Sequence, residues 1–173
     1  MQFPATITFA WVSLAFCAAA QADWPQFRGN NSDGMGTGSP PVHFGPDENL
    51  QWKTPLLPGH SSPCIAGDLI FVTTYQEETR TLAVVCLDRI SGKVRWTRAI
   101  EVDAIEEGHP SFNPASSSPC CDGERVVAYF GSYGLVCFDL NGDRLWDKKL
   151  PLTKSFGGNA TSPMIAGDNV ILY

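Results

Sequence analysis

Cys86–Trp96 reads CLDRISGKVRW, and Cys137–Trp146 reads CFDLNGDRLW. Each stretch starts on a cysteine, places an aspartate two positions on, turns through a glycine and ends on a tryptophan. Asp88 and Asp139 can accept hydrogen bonds from the backbone of the turn that follows them. Gly92 and Gly142 can take the left-handed conformation that closes it, and Trp96 and Trp146 offer a large face to bury against a neighbour. Asn141-Gly142 is in addition a two-residue hairpin signal, because both central positions of such a turn need positive φ. The two stretches predict the same β-hairpin twice.

Upstream of each hairpin lies a second repeated pattern. Ser61–Val72 reads SSPCIAGDLIFV, Ser117–Ala128 reads SSPCCDGERVVA, and Thr161–Leu172 reads TSPMIAGDNVIL. Gly67, Gly123 and Gly167 align, and Trp52, Trp96 and Trp146 form a parallel series, at intervals close to the length of one four-stranded unit. In the first unit the strand signals fall at 62–66, 69–75, 81–88 and 93–100. The second repeats them at 119–121, 125–130, 135–139 and 143–148. Leu82, Val84 and Cys86 alternate with Ala83, Val85 and Leu87, so both faces of that strand are apolar and the sheet needs a neighbour on each side.

These residues resemble the PQQ-type repeat, whose docking motif runs Ala-x-Asp-x-x-Thr-Gly-Lys-x-x-Trp. The first copy differs only by Cys86 for alanine and Ser91 for threonine. The second is one residue shorter in the turn and carries Asp143 for lysine. Asp23–Gly29, DWPQFRG, is similar to the opening of many exported bacterial proteins with such repeats. The resemblance, to the quinoprotein alcohol dehydrogenase-like superfamily, implies an all-β fold: a β-propeller of four-stranded antiparallel blades. Only an incomplete arc is expected here, because a ring needs about six to eight units of this length. The expected organisation is a signal peptide over 1–22, an N-terminal extension over 23–48 and a partial propeller over 49–173. Its units cover 61–100 and 117–150, and a third starts at 161. Asn49–Leu56, with Trp52, reads as a lone fourth strand.

The leader assignment rests on the absence of charge before Asp23, an apolar stretch from Ile7 to Ala20 and the small-x-small triplet Ala20-Gln21-Ala22. The apolar stretch is short for a membrane span, and no later segment is long enough to try. Cys17 follows Phe16, where a lipid-attachment box wants a small residue, so ordinary cleavage and a periplasmic or extracellular destination are expected. The 173 residues carry a net charge of −6, with 12 basic and 18 acidic side chains scattered along the chain. That leaves no basic patch for nucleic acid.

Of the remaining cysteines, Cys64 and Cys120 share one repeat position, and Cys86 and Cys137 share another. Equivalent positions in successive blades lie too far apart for a disulfide, so all read as small apolar core residues. Cys120-Cys121 invites comparison with the adjacent oxidised cysteines of PQQ-dependent alcohol dehydrogenases. Its counterparts Cys64-Ile65 and Met164-Ile165 are plain hydrophobic pairs, and neighbouring strand residues face opposite ways. No zinc or covalent haem spacing occurs.

His60 and His109 lie in connections that lead into a first strand, and Asn113, Lys154 and Asn159 lie in corresponding loops. The resemblance places these at the funnel mouth, where ligands of this superfamily bind. No catalytic residue or metal ligand can be named, and no cofactor can be assigned. Asn159-Ala160-Thr161 matches a glycosylation sequon by chance in a bacterial protein. The expected function is a non-catalytic binding or scaffold module that engages a protein or polymer through its loops. The alternative is a quinoprotein alcohol or sugar dehydrogenase using PQQ held by calcium, with most of its site outside this stretch.

Overall fold

The computed structural model describes residues 23–152 and 154–173. The leader reading and Cys17 lie outside them. The first sheet is built from β1 (Cys64–Ala66), β2 (Leu69–Gln76), β3 (Thr81–Asp88) and β4 (Val94–Glu101), hydrogen-bonded in chain order. The second repeats it with β5 (Cys120–Cys121), β6 (Arg125–Phe130), β7 (Gly134–Asp139) and β8 (Arg144–Lys149). A hairpin of β9 (Met164–Ala166) and β10 (Asn169–Ile171) opens a third unit. All sheet pairings are antiparallel. The arc is open, and no helix among the described residues is long and apolar enough to cross a membrane.

Burial follows the predicted pattern in the middle strands. Leu82–Leu87 of β3 and Gly134–Phe138 of β7 are buried on both faces. The main core lies between the two sheets, where Phe71, Val84 and Trp96 of the first meet Val126, Ala128 and Phe138 of the second. A smaller cluster on the far side of the second sheet gathers Cys120, Val127, Tyr129, Leu135 and Cys137.

The docking motif works as its chemistry suggests. Asp88 Oδ1 accepts from the N–H groups of Ile90 and Ser91 at 3.1 and 2.7 Å. Those bonds, with the Ser91 N–H first and the Arg95 guanidinium next, hold its carboxyl far below the usual carboxylate range. Gly92 has φ 69°. Trp96 Nε1 donates across the interface to the Leu140 carbonyl at 2.9 Å, and Arg98 Nε donates to that of Gly142. One unit earlier, Trp52 Nε1 donates to the Arg89 carbonyl at 2.9 Å and Thr54 Oγ1 to that of Gly92 at 2.6 Å. Each tryptophan therefore clips onto the hairpin turn of the following sheet.

Three expectations need correction. Trp146 sits in the register of Trp96, opposite Cys137 as Trp96 is opposite Cys86, with a register shift at the same place in both hairpins. It is nevertheless 37% exposed against 8% for Trp96, and it makes no bond like that from Trp96 Nε1 to the Leu140 carbonyl among the described residues. The Asn141-Gly142 turn has positive φ at Gly142 alone. Asp139 Oδ1 accepts from the N–H groups of Asn141 and Asp143, which pulls the chain into a three-residue connection with one left-handed glycine. Residues 49–56 form no strand; the Trp52 and Thr54 side-chain bonds to the β3–β4 turn fix them instead.

Gly142→Ala is expected to cost about 2 kcal/mol. At φ 86° an added Cβ would stand 2.8 Å from the Trp96 ring. Gly157, with open space around it, should accept alanine within about 0.5 kcal/mol. Urea midpoints of the two variants give the comparison, and equal shifts would count against the clip.

Candidate binding face

The connections from one sheet to the next converge at one end of the arc, together with the β2–β3 and β6–β7 turns. Prolines and serines dominate these lead-ins, and their backbone groups pair with side chains of the adjacent unit rather than with a ladder. The Ser62 N–H donates to Ser118 Oγ at 2.9 Å, and the Ser118 N–H donates to Ser162 Oγ at 3.0 Å. Because these serines precede the proline of each first strand, the same bond recurs from unit to unit along the inner rim. Thr73, buried, shares its hydroxyl between the carbonyls of Ala115 and Ser117, and its N–H donates to Ser61 Oγ. The rim is a hydrogen-bonded belt.

Asp23–Gly29 crosses this inner rim. Trp24 exchanges two backbone hydrogen bonds with Ile65 of β1, at 3.0 and 2.8 Å, while the Pro25 carbonyl accepts from the Cys121 N–H of β5 at 2.8 Å. Asp23 Oδ1 accepts from the Gly67 N–H, and the Trp24 ring packs on Gly29, which has φ 79°. The DWPQFRG stretch is thus a strap over the innermost strands of both sheets.

His60 is exposed, and its backbone N–H donates to the Ala115 carbonyl at 3.0 Å, tying the two lead-in loops together. His109 is exposed; its Nδ1 lies 2.8 Å from Ser111 Oγ, and its ring lies 6.4 Å from that of Phe156. Asn113 Oδ1 caps its own turn by accepting from the Ala115 N–H. Asn159 does the same with Thr161 and also donates from Nδ2 to the Tyr129 hydroxyl at 2.7 Å. Lys154 is exposed. The loops of the second and third units are drawn together by Phe112, whose ring fills the space that a Cβ on Gly108 or Gly158 would need.

Glu106 was not legible as part of this face, since nothing in IEEGH distinguishes a buried glutamate from a solvated one. It is only 4% exposed, its N–H donates to Ser132 Oγ, and its carboxylate lies where a Cβ on Gly131 would be. Neither carboxylate oxygen has a hydrogen-bond partner. Burial pushes its carboxyl up to about 7, and the nearby Asn159 backbone N–H offsets this only in part.

All five cysteines among the described residues are free and buried. Burial pushes the thiols of Cys86 and Cys120 up to about 12 and that of Cys137 up to about 11. Cys120 and Cys121 face opposite sides of β5, one into each hydrophobic cluster. Cys121 instead meets Cys64 of β1, with the two sulfurs 2.9 Å apart. Equivalent repeat positions do not reveal this pair, because Cys121 aligns with Ile65 and not with Cys64. First strands are where neighbouring blades come closest.

Repeated four-stranded antiparallel sheets, the first clipped to the second by its fourth-strand tryptophan Trp96, define an arc of a β-propeller of PQQ-type repeats. Residues 42–173 match the family described as outer membrane protein assembly factor BamB, and the chain belongs to that family. A solved structure similar to it is that of BamB from Moraxella catarrhalis, 20% identical with a TM-score of 0.44, over 64% of this chain and 32% of that one. The chain therefore spans about a third of that protein's length. No curated protein matches it.

Calcium takes six to eight oxygen ligands with carboxylates among them. Glu106, the buried carboxylate here, is wedged against Gly131, and among the described residues no three His, Cys, Asp or Glu side chains converge as a metal-binding group.

Proposed function

We propose that this chain is part of an exported, non-catalytic binding module whose lead-in loops engage another protein. Membership of a family described by a role in outer-membrane protein assembly supports a protein partner. The observation that carries the reading is an aromatic edge on these loops: Phe156 is 92% exposed beside His109. Of the polar side chains of these loops, Ser111 and Asn113 bond within their own loop, and Asn159 caps its turn and donates to the Tyr129 hydroxyl. A large apolar side chain held out by ordered polar loops is a contact surface rather than a set of reactive groups.

A photo-reactive residue at position 156 is expected to give a discrete protein adduct in cells of the source bacterium. The same residue at position 90, in a turn at the opposite end of the arc, should give none. Export is tested in the same cells by fractionation: the protein should be outside the cytoplasm with Asp23 as its first residue. Equal adducts from both positions would remove the loop-face reading, and a cytoplasmic protein retaining Met1 would remove the export reading. PQQ with calcium should leave the melting temperature unchanged, where saturation at 100 times the dissociation constant would add about 2.7 kcal/mol.

A further inference from the structure

At the inner rim, Cys64 of β1 and Cys121 of β5 face each other across the junction of two blades. Their sulfurs are 2.9 Å apart, within the same hydrophobic cluster and under the Asp23–Gly29 strap. The Pro25 carbonyl lies 3.3 Å from the Cys64 sulfur and also accepts the Cys121 N–H, so the strap holds both residues in place. Cys120 is turned into the other cluster and Cys86 pairs in register with Trp96, so neither competes for Cys64.

We propose that Cys64 and Cys121 are a cross-linking site, oxidised by a small-molecule or protein disulfide to a bond that staples the first blade to the second. The first cysteine to react attacks the oxidant's disulfide as a thiolate, forming a mixed disulfide and releasing one thiol. The second displaces the other half. The net change is two protein thiols and one oxidant disulfide to one protein disulfide and two small thiols. Burial and the adjoining Cys121 sulfur push the Cys64 thiol up. The exchange is therefore slow in the folded chain, and it belongs to the stage at which the blades come together. This bond is distinct from an adjacent-cysteine ring, which the opposed directions of Cys120 and Cys121 disfavour.

The test takes the full chain, reduced in denaturant and refolded in oxidised and reduced glutathione at about pH 8, so that exchange runs while the blades assemble. Of its six cysteines, four should remain alkylatable after denaturation. A non-reduced digest should join the Cys64 peptide to the peptide holding Cys120 and Cys121. The link should survive Cys120→Ala and vanish in Cys121→Ala. The oxidised protein should melt about 10 °C above the reduced one, with the difference abolished by dithiothreitol, as expected for closing a long loop in the unfolded chain. Six alkylatable thiols, a Cys120–Cys121 bond, or a link that survives Cys121→Ala would each overturn the proposal. Equal melting temperatures would overturn the stapling role.

Discussion

Trp96→Ala should destabilise the protein by about 3–5 kcal/mol, whereas Trp146→Ala should cost within about 1 kcal/mol. The two tryptophans hold the same place in the same motif and face the same register partner, a buried cysteine. They differ in what lies beyond the sheet. The Trp96 ring packs 5.8 Å from Phe71 and 6.0 Å from Phe138, meets Gly142, and carries the Arg98 guanidinium 5.5 Å from its centre. Its Nε1 is satisfied by the Leu140 carbonyl. Truncation would leave a cavity between two sheets and an unpaired carbonyl, both of which add to the lost burial. Trp146 already meets solvent along much of its ring. Urea unfolding of both variants at neutral pH is the measurement. Comparable losses would mean that the motif stabilises each blade internally and not the junction between blades.

That contrast also marks what a sequence can carry. The hairpins were readable because turn chemistry is local: Asp88 and Asp139, with Gly92 and Gly142 a few residues on, leave little choice of backbone. Strands β3 and β6 fall where alternation and apolar runs put them. Asn141-Gly142 misled at one detail, since the pair alone suits a two-residue turn. An aspartate two residues before Asn141 adds side-chain hydrogen bonds that select a longer one. The rim belt was present in the aligned SSP, SSP and TSP segments. Its meaning appears only when the units are stacked, because each serine bonds the next unit and not its own.

The residues of the candidate face were harder for the same reason. His60 and His109 stood out by type, yet the structure holds one through its backbone and engages the ring of the other within its own loop. Glu106, Tyr129 and the Cys64–Cys121 pair acquire their environments from chain segments remote in sequence. Composition and spacing are silent about such contacts.

Stability should fall as pH rises from about 4 to about 8 by about 3 kcal/mol more in the natural protein than in Glu106→Gln. In the folded chain the Glu106 carboxyl is pushed from 4.5 up to about 7 by burial. In the unfolded chain it regains its ordinary value. Below about pH 4.5 both states hold the proton, and the glutamate contributes no penalty. Between that point and about pH 7 the unfolded chain has released the proton and the folded chain has kept it, so folding takes up a proton and each step upward in pH disfavours the fold. Above about pH 7 both states are ionised and the loss levels off, leaving a buried carboxylate whose oxygens have no hydrogen-bond partner. Glutamine keeps the shape but has no proton to release. Its own burial cost shifts the whole curve without adding slope, so the difference between the two pH profiles isolates Glu106 from every other carboxylate. Urea midpoints at the two ends of the range measure it. Parallel profiles would mean that Glu106 reaches solvent in the folded chain, and that the loop between the first two blades opens in solution.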